Sequence, residues 1–147
     1  MYHHLVWLTD LSESAAACRE PILALAGMGD ARVSIHLAVK EGLDEDHPSR
    51  QEVQRLSDSL RESGINATAS VEVGLPAELA VVYGGEHELV VIGRTGSTAL
   101  DRWLLGSTAN KVLRSTPSAV LVVGGRPFRE LKRILCPVEL GDPALAP

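Results

Sequence analysis

The sequence predicts an α/β fold: a doubly wound parallel sheet of five strands with helices on both faces. Two observations predict it. Short apolar runs and helix-like segments alternate strictly along the chain, which implies parallel pairing and right-handed crossovers. The first run, Leu5–Leu8, is apolar throughout, the pattern of a strand buried on both faces. With 147 residues, of which 45% are apolar, the chain can bury a real core and has no disordered composition.

Leu5–Leu8 reads as the first strand and ends at Thr9-Asp10. Ser12, Glu13 and Ser14 are helix-start residues, and the alanine-rich segment from Ala15 to Ala26 follows, stopped by Gly27 and Gly29. Pro21 inside that segment predicts a kink or an early break. Arg32–Val39 reads as the second strand. Lys40–His47 is a charged loop, and Pro48 opens a helix to about Ser63 that Gly64 closes. Ala67–Val73 alternates as a third strand. Gly74-Leu75-Pro76 turns into a helix carrying Leu79, Val82 and Tyr83, ended by Gly84-Gly85. Leu89–Ile92 is the fourth strand, Thr108–Ser115 the fourth main helix, Pro117 its stop, and Ala119–Val123 the fifth strand.

Composition narrows the function classes. The net charge is −5, no basic block is present, and there are two Trp, two Tyr and one Phe. Nucleic-acid binding through phosphates or base stacking is therefore disfavoured. The apolar runs are too short to span a bilayer, and no signal segment precedes the first strand, so no membrane role is expected. Cys18 and Cys136 are isolated, which suggests a reducing, cytoplasmic setting without a disulfide framework. His3-His4 lacks partners at metal spacing and reads as surface histidines flanking a strand.

The chemistry concentrates after the fourth strand. Gly93-x-x-Gly96 is followed, after nine intervening residues, by Gly106-Ser107 at the start of a helix. Strand, glycine loop and helix N-terminus are the parts that hold a phosphate, because the first N–H groups of a helix point outward unpaired with partial positive charge. Glycines permit close approach of the main chain and positive φ. These residues predict a nucleotide site. In open parallel sheets ligands lie beyond the carboxyl ends of the strands, where strand order reverses. Asp10 and Gly93 would face one crevice if strands one and four are neighbours.

The motif G-x2-G-x9-G-[S/T], together with its context, resembles the ATP-binding universal stress proteins. The context is the first strand ending at Asp10, Ile35-His36-Leu37, the Gly74-Leu75-Pro76 turn, and the block from Leu104 through Pro117 to Val123. The resemblance covers residues 1 to about 124. It implies an adenine nucleotide alpha hydrolase-like sheet of order 3-2-1-4-5, a homodimer along strand five or a tandem-domain partner, and ATP (or AMP or ADP) at the switch point, with Mg²⁺ or Mn²⁺ on the phosphates. Carried over by position, Thr9 and Asp10 would contact the nucleoside and Leu37 would line the adenine pocket through backbone and side chain. Gly93, Thr95 and Gly96 would shape the loop over ribose and phosphates. Gly106, Ser107 and Thr108 would bind phosphate. Leu8 stands where many members have proline, and Arg94-Thr95 replaces the commoner Ser-Arg or Ser-His pair.

Plainer readings stand beside these. Asp10 either caps the first helix or bonds the nucleoside. Arg94 and Arg102 either neutralise phosphate or are solvated, and Lys111 reads as a surface residue. His36 reads as a satisfied core histidine. No Walker lysine, nucleophile elbow, dedicated metal cage or general base beside the phosphates is present. A binder or stress-response switch with at most slow ATP hydrolysis is expected; the alternative is an interaction module that binds no nucleotide.

Residues 1–125 thus form the nucleotide-binding domain. In the tail, 126–147, Ile134-Leu135 and Glu139-Leu140 echo Leu5-Val6 and Asp10-Leu11, and Pro137 restores the proline missing at Leu8. The tail resembles the first strand of a second repeat. Its apolar stretch, Ile134–Val138, is expected to pair with a sheet edge.

Overall fold

Five parallel strands take the order β3-β2-β1-β4-β5 in the computed structural model, which describes residues 2–42, 44–85, 88–94 and 105–124. The strands are β1 (His4–Thr9), β2 (Arg32–Val39), β3 (Ala67–Val73), β4 (Glu88–Gly93) and β5 (Ala119–Val123). The helices are α1 (Glu13–Ala16), α2 (Arg19–Gly27), α3 (Pro48–Glu62), α4 (Pro76–Tyr83) and α5 (Ser107–Ser115). The expected fold class and strand order are both present.

β1 is the middle strand and every one of its residues is buried. Its odd residues Leu5 and Trp7 join Ile22, Val33, Ile35, Val53, Leu60 and Val91 in one apolar cluster, beneath α2 and α3. Its even residues Val6 and Leu8 join Leu79, Ala80, Val90, Ile92, Ala109 and Val112 in a second, beneath α4 and α5. Period-two alternation on a sheet covered on both sides produces this split. Fully burying a side chain such as Ile22 or Val90 stabilises by about 1.5–3 kcal/mol.

The helix after β1 is broken as Pro21 predicts. Proline clashes with the carbonyl four residues back, Ala17, and the chain divides there, between α1 and α2. Gly64 ends α3 at φ +82°, where its N–H donates to the Arg61 carbonyl (2.8 Å).

His4 departs from the expectation of a surface residue. It is 8% exposed, because its position in β1 faces the same side of the sheet as Val6. Glu88, its register partner on β4, and Ser34 on β2 bond its ring at 3.0 and 2.7 Å, which makes burial of the imidazole tolerable. The expectations for Thr95, Gly96, Arg102, Cys136 and the tail, with its strand Ile134–Val138, lie outside the described residues.

Candidate functional site

Strand order reverses at β1, and the crevice between the carboxyl ends of β1 and β4 holds a cavity of about 80 Å³. Leu8 pairs with Ile92 in register, so Thr9 and Gly93 end the two strands side by side and Asp10 follows at once. Thr9 and Asp10 from β1 and its loop, Gly93 from β4 and Thr108 from α5 all line the cavity. Four of the residues expected at a site, far apart in sequence, are thereby brought together.

The β1–α1 turn is shaped by its own polar side chains. Leu11 takes a left-handed conformation, φ +60°, which costs a non-glycine residue about 1 kcal/mol or more. Its N–H donates to Thr9 Oγ1 at 3.0 Å. Asp10 Oδ1 accepts from the Ser12 N–H (3.0 Å) and the Ser12 hydroxyl (2.5 Å). The α1 cap is Ser12, whose Oγ accepts from the Ala15 N–H (3.2 Å). Asp10 therefore braces the turn without capping the helix. Its Oδ2 has no partner among the described residues, and the residue is exposed.

Gly93 is required for close approach. A Cβ there would sit 2.5 Å from the Ser14 carbonyl oxygen and 2.8 Å from the Ala15 nitrogen. The end of β4 thus lies directly against α1, and the Ser14 hydroxyl donates to the Arg94 carbonyl across this contact. Neither Gly93 nor Gly106 uses a positive φ.

α5 begins at Gly106, its N-cap, with φ −59° and ψ 152°. Glycine offers no side chain, so among the described residues no side-chain cap closes off the first N–H groups of this helix. The Ser107 and Thr108 hydroxyls add donors without partners among the described residues. Arg94, next along from Gly93, has a buried Nε without an acceptor among the described residues. Thr108, in the first turn of α5, brings an amide and a hydroxyl to the cavity, donors suited to an anion. Among the described residues, no group of three or more His, Cys, Asp or Glu could hold a metal ion.

Leu37 is placed differently from the expectation. Its side chain is buried in the α2–α3 cluster, while its neighbours His36 and Ala38 line the cavity. Alternation along β2 puts residue 37 on one face and residues 36 and 38 on the other.

His36 is a satisfied histidine, as expected, yet its ring also borders the cavity. Nε2 lies 2.9 Å from Ser34 Oγ and Nδ1 lies 2.8 Å from Ser70 Oγ, and the ring stacks on Tyr83 at 3.9 Å. Burial lowers its pKa from the ordinary 6.5, outweighing the opposing pull of Glu72. Glu72 is itself held below its usual range, chiefly by the Tyr83 hydroxyl donating to it at 2.9 Å. A histidine depressed in the folded state binds fewer protons than in the unfolded one, so its contribution is intact above pH 6.5 and erodes below. Glu72 adds a loss of the same sign below 4.5. Stability in urea is expected to decline as pH falls from 6.5 towards 5, and His36→Gln to flatten that decline.

Cys18 sits under the turn with no exposure, its thiol pushed up to about 12, first by burial and then by the Asp10 charge. It is inert as a nucleophile at neutral pH.

With this geometry in place, similarity to known proteins becomes informative. The family model described as "Universal stress protein family" matches residues 1–124. The chain is 29% identical over 105 residues to universal stress protein MJ0531 of Methanocaldococcus jannaschii, covering 70% of this chain and 58% of that protein. It is 29% identical over 98 residues to Sll1388 of Synechocystis, covering 65% of this chain and 64% of that one. The chain thus spans less than two thirds of either relative's length. Among solved structures, a universal stress protein in complex with cAMP superposes with TM-score 0.66 at 24% identity, covering 85% of this chain and 98% of the other.

Proposed function

This chain belongs to the universal stress protein family, and we propose that it binds an adenine nucleotide, ATP foremost, at the β1–β4 crevice. One observation carries the reading: α5 starts at an uncapped glycine, and Thr108 in its first turn lines the same cavity as Thr9, Asp10 and Gly93. The phosphates sit on the free amides of Ser107 and Thr108 and on their hydroxyls. Arg94 contributes charge, and Thr95 and Gly96 complete the loop over the ribose. Asp10 accepts from the nucleoside through Oδ2. The adenine lies by β2, against the Leu37 backbone and the side chains of His36 and Ala38.

Mg²⁺ or Mn²⁺ rides on the phosphates rather than in a protein cage. The neighbour complexed with cAMP is consistent with an adenine preference. Hydrolysis is slow at most, because these groups bind the ground state and both nitrogens of the bordering His36 are engaged. The protein acts as a nucleotide-dependent stress-response switch, working as a homodimer along the edge strand β5 or as one half of a tandem pair.

Titration calorimetry with Mg·ATP is expected to give one site per chain with micromolar affinity, about −8 kcal/mol. No heat at millimolar ATP would leave the interaction-module alternative.

A further inference from the structure

A second cavity, about 420 Å³, opens on the sheet face at the amino-terminal side of β1 and β2. Ser34 stands in its wall, partly exposed, with His4, Arg32, His36 and Asn66 around it. The hydrogen bonds there form one connected chain. The Glu88 carboxylate accepts from His4 Nδ1–H at 3.0 Å. His4 Nε2 is then free to accept the Ser34 hydroxyl proton, at 2.7 Å. His36 Nε2 lies 2.9 Å from the same Ser34 oxygen, and His36 Nδ1 lies 2.8 Å from Ser70 Oγ.

Carboxylate, imidazole and hydroxyl in this order and at these distances are the parts of an activated serine: base bonded to nucleophile, base oriented by an acid. We propose that Ser34 is a nucleophile towards small carboxylic esters, with His4 as its general base and Glu88 as the group that positions His4. Ser34 Oγ attacks the ester carbonyl carbon and passes its proton to His4 Nε2. The carbon–oxygen bond to the leaving alcohol breaks, and His4 returns the proton to that alcohol. Water then attacks the acyl-serine with His4 again taking its proton, which frees the carboxylic acid and restores the hydroxyl.

Three features fit this role beyond the triad. Ser34 Oγ has two lone pairs, so even with His36 Nε2 donating to one of them the other remains for attack. The side chains of Arg32 and Asn66 line the same cavity without hydrogen-bond partners among the described residues, so donors stand available for the carbonyl oxygen. The cavity has room for a short acyl ester. Purely structural hydrogen bonding would account for the chain of contacts, but it does not require Ser34 to face an open cavity.

The test is covalent labelling of the full chain with a fluorophosphonate, followed by peptide mass spectrometry, alongside release of p-nitrophenol from p-nitrophenyl acetate. The adduct is expected on Ser34. Ester turnover should fall to background in Ser34→Ala. Labelling should slow roughly 100-fold in His4→Ala and about tenfold in Glu88→Gln, which keeps a hydrogen bond but loses the charge. Added imidazole should restore part of the rate in His4→Ala, a rescue that a packing role does not produce. Absence of a Ser34 adduct in the wild-type protein overturns the proposal, as does an unchanged labelling rate in a folded His4→Ala.

Discussion

Gly106→Val is expected to weaken ATP binding at least about 100-fold while the protein stays folded. The branched side chain at the N-cap would cover the unpaired amides of Ser107 and Thr108, replacing phosphate-binding donors with apolar surface. A hundredfold loss is about 2.7 kcal/mol. The fold should tolerate the change because φ −59° and ψ 152° suit any L-residue. Replacing glycine by valine at an N-cap costs only about 1 kcal/mol. Calorimetry and a thermal melt on one preparation separate the two effects. Undiminished affinity would place the nucleotide elsewhere.

Gly93→Val should act in the opposite way, through the fold first. The added Cβ would meet the Ser14 carbonyl and the Ala15 nitrogen, both main-chain atoms of α1. Neither can rotate aside, so α1 must move away from β4. Overpacking of this kind costs about 1–3 kcal/mol, and the upper end is expected where backbone blocks backbone. Displacing α1 also disturbs the turn that Asp10 and Ser12 hold, so nucleotide affinity should fall with stability. Urea denaturation measures the first effect. A change below about 0.5 kcal/mol would mean that α1 yields freely at this contact.

The contrast between the two glycines shows what the sequence conveys and what it hides. Spacing alone marks both as parts of one motif. In the fold Gly93 is held by helix packing, whereas Gly106 leaves helix amides open. Only tertiary contact separates these roles.

The strands were legible because each is a short run rich in apolar residues, continuous in Leu5–Leu8 and alternating in Ala67–Val73, and the break at Pro21 was legible because proline acts locally. Facing was harder. Leu37 looked like a pocket residue, yet the alternation that buries Trp7 and Ile35 buries it too, leaving His36 and Ala38 to border the cavity. His4 looked like a surface residue because its partners, Ser34 and Glu88, are 30 and 84 positions away. No local pattern announces a pairing of that length. The even position of His4, directly before the apolar run Leu5–Leu8, was the available hint.

Amide chemical shifts across an ATP titration address most directly whether the start of α5 is a phosphate cradle. The N–H signals of Ser107, Thr108 and Ala109 should move most, and adenosine, which lacks phosphates, should leave them nearly still. Unmoved α5 signals at millimolar ATP, or shifts confined to another face of the sheet, would contradict a nucleotide site at this crevice.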